Sequence, residues 1–275
     1  MAESWTLEDA ARVLRLPTAD DDKYSRGVLG IRTGSNAYPG AAVLGVEAAW
    51  RTGIGMVRYL GPSRPEALVL ARRPETVTAD GRVQAWVIGS GTDAGDRSDA
   101  ETAVLRGILS GPHPVVVDAG ALDLAVGAPT PRIVTPHARE HARLRELLRL
   151  SPGVVDREGA ARETAAALRA VVVLKGSETV ISGPDGRTIV ADVATPWLAT
   201  AGTGDVLAGA IGAVVAGASG HGVEELVARA ATGVWLHGRA AMLAADALGR
   251  AGGPITALDV ANALPEAVAE VLAAR

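Results

Sequence analysis

Short apolar runs with few polar interruptions alternate along this chain with longer amphipathic or Ala-rich stretches. The runs at 28–31, 56–60, 85–88, 115–117, 133–134 and 171–174 soon meet Gly, Pro or a charged residue, so they read as strands. Between and after them, the spacing predicts helices over 39–53, 99–109, 139–150, 157–170, 206–218, 223–246 and 258–273. Thr6 followed by Asp9 is a near relative of the capping box and predicts a first helix that ends before Pro17. Runs at 178–182 and 188–191 flank Gly183-Pro184-Asp185-Gly186, a hairpin signal. Strands that are apolar on both faces need cover on both faces. The alternation therefore predicts an α/β layered fold, a mostly parallel sheet with helices on either side. No Pro/Ser-rich or charged linker cuts the chain, so residues 1–275 are expected to form one domain.

Composition narrows the function classes. With 275 residues, 48 % of them hydrophobic, the chain can bury a sizeable core. A net charge of −4 with no basic block argues against a nucleic-acid partner. The chain has no cysteine, which excludes disulfides, thiolate metal ligands and a cysteine nucleophile. The amino terminus is acidic and amphipathic rather than a secretory signal, and the apolar run 206–218 is too short to span a bilayer. A cytoplasmic protein without a membrane partner is expected. Lysine occurs only at Lys23 and Lys175 in an Arg-rich chain, which draws attention to both.

In parallel sheets ligands gather at the carboxyl ends of the strands. That edge is expected to carry Gly34-Ser35, Gly89-Ser90-Gly91, Asp118, Thr135-Pro136-His137, Lys175-Gly176 and the loop 201–205. The loop Ala201-Gly202-Thr203-Gly204-Asp205, just before an apolar helix, is the strongest signal. Glycines let N–H groups converge, and the helix adds the positive end of its dipole, so the loop suits a phosphate. Asp205 there would lean on those N–H groups, remain ionised, and take a proton from an attacking hydroxyl. The plainer reading is a Gly-rich turn with Asp205 as N-cap. Lys175 can reach a phosphate as a point charge or simply face solvent. His137 and Glu140 can serve a substrate or a metal-bound phosphate, or form a Pro turn and an acidic first helical turn. The glycines from Gly34 to Gly40 and at 89–91 admit either a flat ligand or tight helix–sheet packing; as a dinucleotide fingerprint Gly89-Ser90-Gly91 is weak. Asp118 and Asp123 read as caps, and His237 as a satisfied core histidine.

Taken in this order, the segments resemble the ADP- or ATP-dependent NAD(P)H-hydrate dehydratases of the ribokinase-like superfamily. The resemblance runs from about Lys23 to Leu264 and rests on Lys23-Tyr24, Gly34-Ser35, Tyr38-Pro39-Gly40-Ala41-Ala42, Gly89-Ser90-Gly91, Asp118-Ala119, Thr135-Pro136-His137 with Glu140, Leu174-Lys175-Gly176 with Thr179, and 198–209. It implies a hydro-lyase that phosphorylates the hydroxyl of the S epimer of NAD(P)H hydrate with ADP (or ATP) and then eliminates phosphate. By position, Ala41, Gly91, His137 and Asp205 would line the hydrate site, with Asp205 catalytic. Lys175, Gly176, Ser177, Glu178 and Thr179, with Gly202, Thr203 and Gly204, would hold the adenine nucleotide. Mg2+ would accompany the phosphates, with no protein ligand identified. A homo-oligomer is expected, as is a separate epimerase, since these residues leave no room for an epimerase domain. The chain departs from the family pattern at Ser90-Gly91-Thr92, Gly120, Arg139 and Arg32-Thr33. Two other readings are a small-molecule kinase of the same superfamily and a non-catalytic nucleotide-binding protein.

Overall fold

The computed structural model describes residues 2–151, 156–191, 193–218, 220 and 222–275. Its strands are β1 (Glu3–Ser4), β2 (Val28–Arg32), β3 (Met56–Tyr59), β4 (Ala85–Ile88), β5 (Val115–Val117), β6 (Arg132–Val134), β7 (Val171–Leu174), β8 (Thr179–Ser182) and β9 (Thr188–Ala191). They form one sheet in the order β1-β9-β8-β7-β6-β5-β4-β2-β3. Every neighbouring pair is parallel except β7–β8 and β8–β9, where the hairpin turns one strand against the rest. The mostly parallel sheet is as predicted.

Helices cover both faces. On one face lie α1 (Leu7–Val13), α2 (Gly40–Arg51), α7 (Thr203–Ala216), α8 (Val223–Asp246) and α9 (Ala257–Ala273), with α3 (Ser63–Arg72) beside α2. On the other lie α4 (Asp99–Leu109), α5 (Ala138–Leu147), α6 (Arg157–Leu168) and a 3-10 turn over Ala119–Ala125. Strand β2 sits between β3 and β4. The chain thus leaves β2 in one direction and returns on its other side, and such switch points open a crevice at the carboxyl ends of the strands. Among the described residues no helix is long and apolar enough to cross a membrane.

Helix α7 is packed between α2 and α8, and small residues let it sit that close. A Cβ at Gly209 would fall inside contact distance of the Gly45 carbonyl oxygen on α2, and one at Gly233 of α8 would lie 2.8 Å from the Ile211 Cα. Eleven consecutive residues of α7, Val206 to Ala216, are buried. This helix is apolar all round because it has neighbours all round.

The structure adds elements to those expected. Strand β1 is too short to show an alternation, and it pairs with β9. Helix α3 carries Pro65 in its first turn, where the missing N–H would have no intrahelical partner anyway. It docks through Arg72 and Arg73 on the fully buried Glu47 carboxylate of α2, which Arg51 also meets. The predicted helix 139–150 stops at Leu147, and the predicted helix 206–218 begins three residues early, at Thr203.

Gly209→Ala should destabilise the protein by about 1–3 kcal/mol, because backbone rather than a flexible side chain blocks the new methyl. Gly107→Ala, on exposed helix α4 with nothing within 4 Å of its Cβ position, should stabilise by about 0.5–1 kcal/mol. Urea unfolding of the two variants checks both signs.

Candidate active site

Four neighbouring strands, β4 to β7, deliver one side chain each to a single point at the carboxyl edge of the sheet. Asp118 follows β5 and is 3 % exposed. Its Oδ2 accepts from Ser90 Oγ at 2.9 Å, beyond β4. Its Oδ1 accepts from Thr135 Oγ1 at 2.7 Å, beyond β6, and from Lys175 Nζ at 2.8 Å, beyond β7. Burial alone would push this carboxyl up, but the Lys175 ammonium and the hydroxyl donors hold it below the ordinary carboxylate range. Lys175 shows the converse: burial disfavours its charge, yet Asp118, Glu140 and Asp205 raise its proton affinity. Backbone geometry adds to the construction. Ala119 lies in the left-handed region at φ 44°, and Gly89, at φ 96°, leaves no room for a Cβ against the Asp118 carbonyl. Asp118 therefore is not a capping side chain, as its position after a strand suggested. It heads the 3-10 turn without a cap bond, which frees its carboxylate for the cluster. Asp123 pairs with Arg97 and stays outside the cluster.

The first turn of α7 faces this cluster. Gly202, at φ 90°, caps the helix, so Thr203, Gly204 and Asp205 belong to its first turn rather than to a loop. Asp205 occupies the third helical position and is not the N-cap. Its carboxyl is pushed up to about 7, first by burial and then by the charge of Asp118, with Lys175 partly offsetting both. The expectation that this carboxylate remains ionised is thus corrected: among the described residues no side-chain hydrogen bond to Asp205 replaces the water it has lost. Gly204 lies beside Lys175, and a Cβ there would sit at ordinary contact distance, 3.5 Å, from Nζ.

His137 and Glu140 form a reciprocal cap on α5. His137 Nδ1 accepts from the Arg139 and Glu140 N–H groups, and Glu140 Oε2 accepts from the His137 N–H at 2.8 Å. Glu140 Oε2 also lies 4.0 Å from Lys175 Nζ. The 175–179 turn is clasped by Arg157, whose Nη2 donates to the carbonyls of Leu174, Lys175 and Glu178. The sequence offers no signal for Arg157, an ordinary first residue of a helix.

A cavity of about 590 Å³ opens beside the cluster. Of the expected residues, His137, Lys175, Gly176, Ser177, Thr179, Thr203 and Gly204 line it, while Glu178 is exposed nearby on the same turn and Gly202 packs against Leu44 and Ala257. Ala41 and Gly91 lie instead at the crevice between the β2 and β4 loops, where a Cβ on Gly91 would collide with that of Ala41. The Gly34 N–H donates to the Ser90 carbonyl at 2.7 Å and closes the base of this crevice. His237, expected to be a satisfied core histidine, is buried and lines the cavity; the Thr203 backbone lies within hydrogen-bonding reach of its ring, while its Nε2 has no partner of good geometry among the described residues. Lys23 precedes β2 at the opposite edge of the sheet, over the Tyr24 ring, and takes no part.

Residues 29–265 match the family described as NAD(P)H-hydrate dehydratase. The chain belongs to that family. It is 44 % identical to a bifunctional NAD(P)H-hydrate repair enzyme of Mycobacterium tuberculosis, over 76 % of this chain and 45 % of that protein. It is 37 % identical to an ADP-dependent (S)-NAD(P)H-hydrate dehydratase of Neisseria meningitidis, over 88 % of this chain and 85 % of that one. The chain therefore spans about half the length of the bifunctional relatives it matches. Among solved structures, an ADP/ATP-dependent NAD(P)H-hydrate dehydratase from Bacillus subtilis, co-crystallized with ATP/Mg2+, superposes with a TM-score of 0.83 at 28 % identity, covering 98 % of this chain and 99 % of that one. The fold is the ribokinase-like one.

The charges around Asp205 make a sign test. Its carboxyl carbon, followed by NMR, should titrate near pH 7 in the parent protein. Asp118→Asn removes the opposing carboxylate and should move the midpoint down by about one unit or more. Lys175→Met removes the ammonium and should move it up.

Proposed function

We propose that this chain carries out the ADP-dependent dehydration of the S epimer of NAD(P)H hydrate to NAD(P)H, as its family membership and its site together support. The observation that carries the reading is the meeting of Asp205, Lys175 and the α7 amino terminus beside a cavity of about 590 Å³. The N–H groups of Thr203 and Gly204, ahead of the Asp205 N–H that donates to the Gly202 carbonyl, and the Lys175 ammonium form an anion hole for the phosphates of ADP, or of ATP. The 175–179 turn, with Thr203 and Gly204, holds the nucleotide. Ala41, Gly91 and His137 line the place of the hydrated dinucleotide, and its hydroxyl points to Asp205.

In the first step the substrate hydroxyl attacks the terminal phosphorus and gives its proton to Asp205. The bond from that phosphorus to the rest of the nucleotide breaks, and AMP leaves when ADP is the donor. In the second step the C–O bond breaks with its electron pair going to phosphate. Loss of a proton from the neighbouring carbon restores the double bond of the nicotinamide ring. A proton affinity near 7 suits a group that must accept a proton and release it again at neutral pH. As pH falls through that value, Asp205 becomes protonated and the first step slows. Among the described residues no group of three His, Cys, Asp or Glu side chains comes together to hold a metal ion. Mg2+ bound with the phosphates would neutralise part of their charge.

Purified protein given hydrated NADH, Mg2+ and ADP should restore the reduced-nicotinamide absorbance and release inorganic phosphate. Asp205→Asn should lower kcat by about 10²–10⁴-fold while ADP still binds. A stable phosphorylated alcohol in place of free phosphate would overturn the dehydratase reading in favour of a kinase, and unchanged turnover in Asp205→Asn would remove Asp205 as the base.

A further inference from the structure

Arg157 opens helix α6, where the positive end of the helix dipole disfavours a cation. Its guanidinium reaches across to the turn after β7. There Nη2 donates to the carbonyls of Leu174, Lys175 and Glu178, at 3.3, 3.2 and 3.3 Å. Three carbonyls of one short turn thus converge on a single nitrogen. Gly176, Ser177 and Thr179 of the same turn line the cavity, and Arg157 does not. The guanidinium therefore grips the turn from outside the cavity.

Such a grip fixes where the N–H groups point. In a planar trans peptide, a carbonyl and the N–H that follows it are antiparallel. The Leu174 carbonyl faces Arg157, and the Lys175 N–H of the same peptide donates away from it, to the Pro136 carbonyl at 2.9 Å. The Lys175 carbonyl faces Arg157 too, so the Gly176 N–H also points away from the guanidinium. No described group accepts from that N–H. Gly176 is exposed and lines the cavity, so a ligand there can reach it. The glycine itself has the same cause. Its φ lies outside the left-handed region, so conformation does not require glycine at 176. Space does: a Cβ there would fall 2.5 Å from Arg157 Nη2.

We infer that Arg157 is a positioning residue of the nucleotide site: it holds the carbonyls of the 175–179 turn to one side and so presents the Gly176 N–H to a phosphate oxygen of a nucleoside diphosphate. The inference rests on the reading of the cavity as the nucleotide site. Gly176 directly follows Lys175, whose ammonium marks the anionic end of the cavity, and oriented N–H groups beside a cation suit an anion. Arg157 acts through the turn and not by touching the nucleotide. Because its charge opposes the α6 dipole, stability and affinity should respond to its removal with different signs.

The experiment is calorimetric titration with ADP, beside thermal unfolding and steady-state kinetics over a range of ADP concentrations, for the parent, Arg157→Met and Arg157→Lys. Met keeps the apolar stem and removes the donors and the charge. Lys restores a charged donor without the planar fork. Arg157→Met should unfold at an equal or higher Tm while its ADP Kd rises about tenfold. In turnover the loss should fall on KM for ADP and not on kcat, since the turn holds the nucleotide alike before and during the reaction. Arg157→Lys should recover part of the affinity. Parent-like ADP affinity in Arg157→Met overturns the inference, and so does weakened affinity together with a lower Tm, which marks a packing residue of α6. If the parent itself fails to bind ADP, the nucleotide reading of the cavity falls and takes the inference with it.

Discussion

A carboxylate taken out of water must be surrounded by enough donors and charge to stay ionised, and Asp118 finds them on three other strands. Ser90, Thr135 and Lys175 each arrive from the carboxyl end of a different neighbour. The bonds therefore tie β4, β5, β6 and β7 together at the edge where the chemistry lies. A buried pair of this kind contributes little net stability over an apolar substitute, because desolvation offsets most of the attraction. Its value lies in direction. Lys175 has one place to be, and that place is beside the first turn of α7.

The other half of the site is backbone. The anion hole depends on where α7 begins and how closely it approaches the sheet, and glycines decide both. Gly202 takes a left-handed conformation to start the helix, and Gly209 lets α2 come within backbone contact. Asp205 is then carried into a position where burial and a second carboxylate oppose its ionisation. The site thus keeps one unmet demand, the proton affinity of Asp205. Folded proteins tolerate such local costs where a ligand resolves them.

The pattern of apolar runs was enough for the parallel sheet, because strands buried on both faces leave an uninterrupted β-branched signature at β5 and β7. It also located the edge where Asp118, His137, Lys175 and Asp205 meet. Helix α3 stayed hidden behind Pro62 and Pro65, which read as breakers although both sit where a helix start accepts them. The partners of Asp118 were equally hidden, since they lie 17, 28 and 57 residues away in the chain and only the strand order brings them together. The electrostatic state of Asp205 depends on that same long-range geometry. So does the place of His237 at the cavity wall, which on helical spacing alone looks like any other inward-facing position of an Ala-rich helix.

The scarcity of lysine has a practical side. Lys175 is largely buried and held protonated by its carboxylate partners, which leaves its amine a poor nucleophile. Lys23 is exposed and precedes β2, at the amino edge of the sheet and away from the cavity. Of the two side-chain amines, an acylating fluorophore or a surface-coupling reagent therefore selects Lys23. The protein can be tethered or labelled through that residue with its ligand face turned outward and chemically untouched.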